Sequence, residues 1–408
     1  MNLNFKKVFI FLSLSVVALP GNAEEFYSSI IREKALANGY APPQTTYQPT
    51  DNGLVEIGRQ LFESKNLSLN GNIACVTCHI DSKGSSDGIP NSAGIGGAGK
   101  GMERYLSGGR VVPRNSLSLF GVGGKGFETF FWDGRVQNTE GRIVSQFGES
   151  APSSDPLVVA VHLPVVEIRE TLIEDAFISA YKKETIHGAG VVYQAVLDNL
   201  KDTEPAMIDA LAKTVEKSTE QLEFLDVASA LANFIREKFK IRESSFSSFM
   251  NGQSSLEKEE LLGGIVFYGK GGCSACHSGP YFSNFQFHTI ALPQAGFGKN
   301  GFGVDYGRYN TTFNPEDLYK FRTPILHNVT KTFPYGHSGS LYSLKEVVQA
   351  HYDPLMFFDI KTKNASERHE YLKYLKRNDS SEVVGNLTDN ELEQIIAFLK
   401  TLEFKISN

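Results

Sequence analysis

Tryptophan occurs once, cysteine four times and methionine five times in 408 residues. So few cysteines in so long a chain exclude a small, disulfide-dense scaffold, which needs many pairs to replace a missing core. Past the first two dozen residues no stretch is apolar enough to cross a bilayer, which excludes a bundle of membrane helices. Basic charge is not in excess: 40 Lys and Arg against 46 Asp and Glu give a net charge of −6. Binding to nucleic acid needs clustered cations on the phosphates, and this chain leans the other way. Glycine-rich runs occur within residues 84–126, but no Gly-Lys-Ser/Thr and no strand-turn-helix frame follow them. A phosphate-binding loop is therefore disfavoured, and loops wrapping a cofactor edge fit better. Alternating strand patterns are sparse, so the predicted class is mainly α with little strand.

The start of the chain is a secretory signal in pattern. Lys6 and Lys7 precede an apolar run from Val8 to Leu19, and Gly21-Asn22-Ala23 offers small residues for cleavage before Glu24. A membrane anchor is the competing reading, but the run is short for a span. Residues 1–23 are read as a signal peptide and the protein as exported, most simply to a bacterial periplasm. Removing them takes away two lysines and no acid, moving the net charge from −6 to −8. The roughly 385 remaining residues suit two or three domains. No membrane span is expected after cleavage, and an acidic surface suits a basic redox partner.

All four cysteines fall into two identical units, Cys75-x-x-Cys78-His79 and Cys273-x-x-Cys276-His277. A pair of disulfides or a zinc site would give no reason for a histidine directly after each pair. Covalent haem attachment does: two thiols add to the haem vinyl groups, and the next residue brings its imidazole to the iron. Two covalently bound haem c groups are the predicted cofactors.

The surroundings of the motifs repeat as well. Leu54, Ile57, Leu61 and Phe62 keep helical spacing after a capping Asp51 or Asn52. Ser254 with Glu257 forms a capping box ahead of Leu261, Leu262, Ile265 and Val266. Each predicted helix runs into a glycine-containing turn and then the haem motif, as at the start of a cytochrome c domain. The division is predicted near residue 215, with domains at 24–215 and 216–408. A helix from Leu222 to Phe239 is apolar on two faces and so buried, and a last helix from Thr388 to Leu402 closes the second domain.

Further landmarks follow in order: Arg114-Asn115-Ser116, Phe131-Trp132-Asp133-Gly134-Arg135, Phe321-Arg322-Thr323-Pro324, and Pro334-Tyr335-Gly336-His337-Ser338-Gly339. With two haem motifs, this order resembles the bacterial di-haem cytochrome c peroxidase family, which includes MauG. The resemblance implies two cytochrome c-like domains facing each other. It implies peroxide reacting at the N-terminal haem and electron relay at the C-terminal one. The family's sixth ligand to the second iron lies fourteen residues beyond the His337 position, which here is His351, with Tyr352 as fallback. Many members have Met at that register and MauG has Tyr; two imidazoles would keep this iron low-spin and at lower potential.

Residues 80–114 hold no histidine, where other members place one that blocks the first iron. Met102 is the one soft ligand in that span and reads as packing. The first iron is therefore expected to be open, unless His162 or His187 folds back onto it. The resemblance gives Trp132 the role of charge relay between haems. It gives a glutamate over the open haem face the role of acid/base, with Glu170 preferred to Glu167. It also implies a calcium ion between the domains at Asn115, Thr332 and Pro334.

The expected function is a periplasmic oxidoreductase using hydrogen peroxide. A MauG-type enzyme oxidising Trp or Tyr of a partner protein is preferred to a peroxidase drawing electrons from a small redox protein. A di-haem electron carrier is the rival of another class. The Gly-, Tyr- and Asn-rich stretch from Phe297 to Asn314 reads as a partner-facing loop.

Overall fold

In a computed structural model the chain is described over residues 23–148, 150–172, 186–378 and 385–406. The predicted signal peptide lies outside them, apart from Ala23. The longer helices are α1 (Ala23–Ala37), α2 (Asn52–Glu63), α3 (Pro156–Val166), α4 (Ile186–Thr203) and α5 (Pro205–Thr214). They continue with α6 (Phe224–Lys238), α7 (Lys258–Tyr268), α8 (Leu344–Tyr352), α9 (Ala365–Leu375) and α10 (Asp389–Lys400). Strand among the described residues is limited to three small antiparallel sheets of two- to four-residue strands.

One device builds both halves. Helix α2 starts where the Asp51 carboxylate accepts from the Leu54 N–H at 3.0 Å, and it buries Ile57, Leu61 and Phe62. It crosses α6 at Gly58, where a Cβ would lie 2.0 Å from the Ala230 carbonyl oxygen. Helix α7 crosses α10 at Gly263, where a Cβ would lie 1.9 Å from the Gln394 oxygen. Only glycine allows either approach, so each haem motif follows a helix pinned to the last helix of its unit. The cap expected at Ser254 is displaced to Glu257, whose N–H is bonded to Glu260 at 2.8 Å. Glu259 and Glu260 then occupy the first turn, where the helix dipole favours acids. Helix α10 begins at the expected Thr388 through a reciprocal box with Glu391.

Helix α6 packs with α2, α3 and α5 in the first core, with Val227, Leu231 and Ala232 essentially inaccessible. Both of its apolar faces are consumed inside that unit, which also takes in Tyr281, Ile325 and Phe404 from later in the chain. Helix α1, at the N-terminal end, belongs to the second core, where Ile31 lies against Gly264 on α7. The C-terminal segment crosses back, with Phe404 edge-on to Phe120 of the first core at 5.1 Å.

Candidate functional site

The second haem motif opens onto a cavity of about 490 Å³. Cys273, Cys276 and His277 line one part of it and His351 another. His277 holds its Nδ1 3.0 Å from the Phe282 carbonyl. His351, in the last turn of α8, holds its Nδ1 2.7 Å from the Val347 carbonyl. A carbonyl only accepts, so each Nδ1 carries the proton and each Nε2 keeps a lone pair for a metal. Burial, then the nearby His351 imidazole, pushes His277 down to about 4, so both rings are neutral at pH 7. Tyr352 lies outside the cavity lining. Four apolar-walled groups with this tautomer pattern fit a covalently attached haem held between two histidines.

The first motif repeats the first half of that pattern. Its thiols are carried by a helical turn, Cys75–Cys78, and His79 holds its Nδ1 2.9 Å from the Ser85 carbonyl. The Phe62 ring of α2 is centred 6.3 Å from the imidazole. Opposite partners differ. Among the described residues no second imidazole contacts His79. His162 is packed edge-on against the stacked pair Tyr193 and Phe224 in the core, and His187 is exposed on α4. Met102, read from sequence as packing, is instead half-exposed on a short surface helix.

What stands near the first motif is a carboxyl. Burial raises the proton affinity of Cys75 and Cys78, Asp87 adds to the effect at Cys78, and Glu170 is close enough to raise both further. Its own pKa is pushed up to about 8, by burial first and the Glu167 carboxylate second, against the pull of Arg135 and Lys299. Its backbone is fixed by the Ile95 N–H, which donates to the Arg169 oxygen at 3.1 Å. Gly94 allows that approach, since a Cβ there would lie 1.8 Å from the same oxygen. Glu167 is committed elsewhere, in an ion pair with Arg135 at 3.1 Å. The two glutamates are thus chemically distinct: one neutral near pH 7, the other a paired carboxylate.

Between the motifs stands Trp132. Its indole Nε1–H donates to the Asn115 carbonyl at 3.0 Å, and its own carbonyl accepts from the Arg322 N–H at 2.8 Å. The neighbouring Ser116 hydroxyl donates to the Cys78 carbonyl at 3.0 Å, and Trp132 lines the cavity of the second motif. The Arg-Asn-Ser and Trp-Asp-Gly-Arg landmarks meet in a buried charge cluster. Arg114 pairs with Asp133 at 2.5 Å and, through two bonds at 2.7 and 2.9 Å, with Asp305 from the other half. Such pairs fix geometry more than they add stability. Asp305 and Lys299, which reaches to 3.8 Å from Asp133, were not legible as site residues. Lone charges in glycine-rich loops look solvated in sequence. The stretch from Phe297 to Asn314 is accordingly part wall and part surface: Asp305 is buried, while Phe302 and Phe313 are exposed.

Asn115, Thr332 and Pro334 all line the same cavity. The Asn115 amide nitrogen is 2.6 Å from the Pro334 carbonyl, and its buried Oδ1 has no hydrogen-bond partner. Turning that amide would aim two oxygens at one point, a donor set suited to a hard cation. His337 is buried, stacked on Phe321 at 3.9 Å and bonded to Gln294 at 2.9 Å.

Comparison with known proteins accords with this geometry. The profile of the di-haem cytochrome c peroxidase family matches residues 52–255. Cytochrome-c peroxidase IdrP1 of Pseudomonas sp. (strain SCT) is 26% identical over 373 residues, covering 85% of this chain and 80% of that protein. The methylamine utilization protein MauG of Methylorubrum extorquens is 26% identical over 346 residues, covering 82% and 81%. In fold, a MauG-like protein associated with microbial copper homeostasis superposes with a TM-score of 0.62 at 21% identity, over 90% of this chain and 92% of that one. No helix among the described residues is long and apolar enough to cross a membrane. With two haem-attachment motifs on a duplicated helical scaffold, this chain belongs to the di-haem cytochrome c peroxidase family and is a di-haem peroxidase.

Proposed function

We propose that this enzyme works in the periplasm as a MauG-type oxidase, using hydrogen peroxide at the first haem to oxidise Trp or Tyr side chains of a partner protein. Cys75, Cys78 and His79 hold the first haem, and Cys273, Cys276, His277 and His351 the second. When bound, the haems supply an iron for peroxide binding and O–O cleavage and a second iron that stores an oxidising equivalent. In its ionised form Glu170 takes a proton from hydrogen peroxide and returns it to the departing oxygen, which leaves as water. In sum, hydrogen peroxide, two protons and two electrons give two waters, the electrons coming from the partner. Trp132, held by hydrogen bonds to Asn115 and Arg322, carries charge between the sites. Asn115, Thr332 and Pro334 would hold a calcium ion that fixes the approach of the two halves.

The observation that carries this reading is Glu170, a carboxyl near neutrality beside a haem motif that has no second imidazole against it. A second reading, a peroxidase fed by a small redox protein, is supported by the equal 26% identity to a cytochrome-c peroxidase and to MauG. An optical titration of the fully oxidised protein with one equivalent of hydrogen peroxide separates them. An immediate change in haem absorption supports the first reading. Silence until one electron has been added supports the second.

A further inference from the structure

The tyrosines of the second half form a series. Ring centroids run from Tyr371 to Tyr374, Tyr319, Tyr306, Tyr309 and Phe313 at 6.1, 5.1, 5.8, 6.0 and 6.1 Å. The inner end abuts the cavity of the second haem motif. Tyr374 donates to the carbonyl of Ile290, which lines that cavity, and Tyr319 lies two residues before Phe321, which also lines it. The outer end reaches solvent: Tyr306 and Tyr309 are half-buried, and Phe313 is 75% exposed. Edge-to-face packing alone would be served by phenylalanine, without hydroxyls that need acceptors in a core.

One acceptor differs in kind. Tyr371 and Tyr374 donate to backbone carbonyls, which cannot take up a proton near neutral pH. Buried Tyr319 donates to the Glu370 carboxylate at 2.9 Å. Glu370 is held ionised chiefly by Lys373 at 2.7 Å, with His369 beside it and Arg377 close to Tyr319. A phenol loses an electron readily only if its proton can leave with it, and among the three buried tyrosines of the series only Tyr319 has a carboxylate as that outlet.

We infer that Tyr319 with Glu370 is a redox station on a path through Tyr306 and Tyr309, by which electrons from a partner's oxidisable side chain reach the second haem site. Tyr319 gives one electron inward and its phenolic proton to Glu370. An electron arriving through Tyr309 and Tyr306 restores the phenolate, which takes the proton back. Each cycle passes one electron, consumes no proton at the station, and draws its oxidising power from hydrogen peroxide. The inference rests on the peroxide reading above and adds the place where the partner docks.

The test is electron paramagnetic resonance of protein frozen milliseconds after one equivalent of peroxide, with haem absorption followed in parallel. The wild type should give a tyrosyl signal that narrows with ring-deuterated tyrosine, is lost in Tyr319→Phe, and is weakened in Glu370→Gln. An absorption change with a signal untouched by either substitution overturns the path and leaves the peroxide reading standing. If absorption does not respond at all, the peroxide reading has failed instead. The path is then tested with a ruthenium photo-oxidant in solution: loss of the tyrosyl signal in Tyr319→Phe supports it, and equal signals in both proteins overturn it.

Discussion

The two haem motifs share a scaffold and differ in what stands opposite the proximal histidine. Gly58 and Gly263 pin equivalent helix pairs, and His79 and His277 spend Nδ1 on a backbone carbonyl five or six residues on. Beyond that the halves part. The second cavity is closed by His351 from α8, while the first motif has Glu170 nearby and its candidate histidines turned into the core or out to solvent. A duplicated fold thus gives one site suited to holding electrons and one suited to moving protons, and the difference lies in a single inserted side chain on each.

The largest effect expected is from the thiols. Cys75→Ser with Cys78→Ser should leave one haem per chain by pyridine haemochrome assay and abolish the peroxide response. Cys273→Ser with Cys276→Ser should also leave one haem but keep peroxide binding. Equal loss of response in both would erase the proposed asymmetry.

Next comes the acid. Glu170→Gln should slow the peroxide reaction by about 10²–10⁴-fold in stopped flow, and Glu167→Gln by less than about tenfold. The wild-type rate should rise as pH passes through about 8, where Glu170 ionises and can accept the peroxide proton, and this inflection should vanish in Glu170→Gln. Stability carries the opposite sign. The folded protein holds the Glu170 proton from its ordinary value of 4.5 up to about 8, so stability falls as pH rises across that window. Above pH 8 the Glu170→Gln protein should therefore melt at the higher temperature.

A smaller, symmetric effect is expected at the helix crossings. Gly58→Ala and Gly263→Ala should each cost about 1–3 kcal/mol in denaturant unfolding, because backbone oxygen cannot yield to a Cβ. The smallest effect on peroxide chemistry belongs to His351→Met. It should raise the potential of the second haem in a redox titration and leave peroxide binding at the first within about threefold.

Much of this was legible because it is local. Asp51 and Thr388 cap the helices their side chains suggest, whereas the start of α7 slipped to Glu257 because two adjacent acids offer a better first turn. Which core takes α6 was not legible, for a longer-range reason. An all-round apolar helix such as α6 says that it is buried, not which core buries it. The resemblance already preferred Glu170 to Glu167, but the physical reason was not legible, since it depends on Arg135 arriving from a landmark some thirty residues earlier to pair with Glu167.

By itself the sequence pointed to the attachment chemistry, because a Cys-x-x-Cys-His unit holds in five contiguous residues both thiols and one axial imidazole for a haem. It determined the helical class too, through caps and periodicity that act within a few turns. Only the tertiary structure decided which carboxyl keeps its proton and which tyrosine has a carboxylate beside it. Those properties depend on desolvation and on partners far away in the chain, and both come into being only when the chain folds.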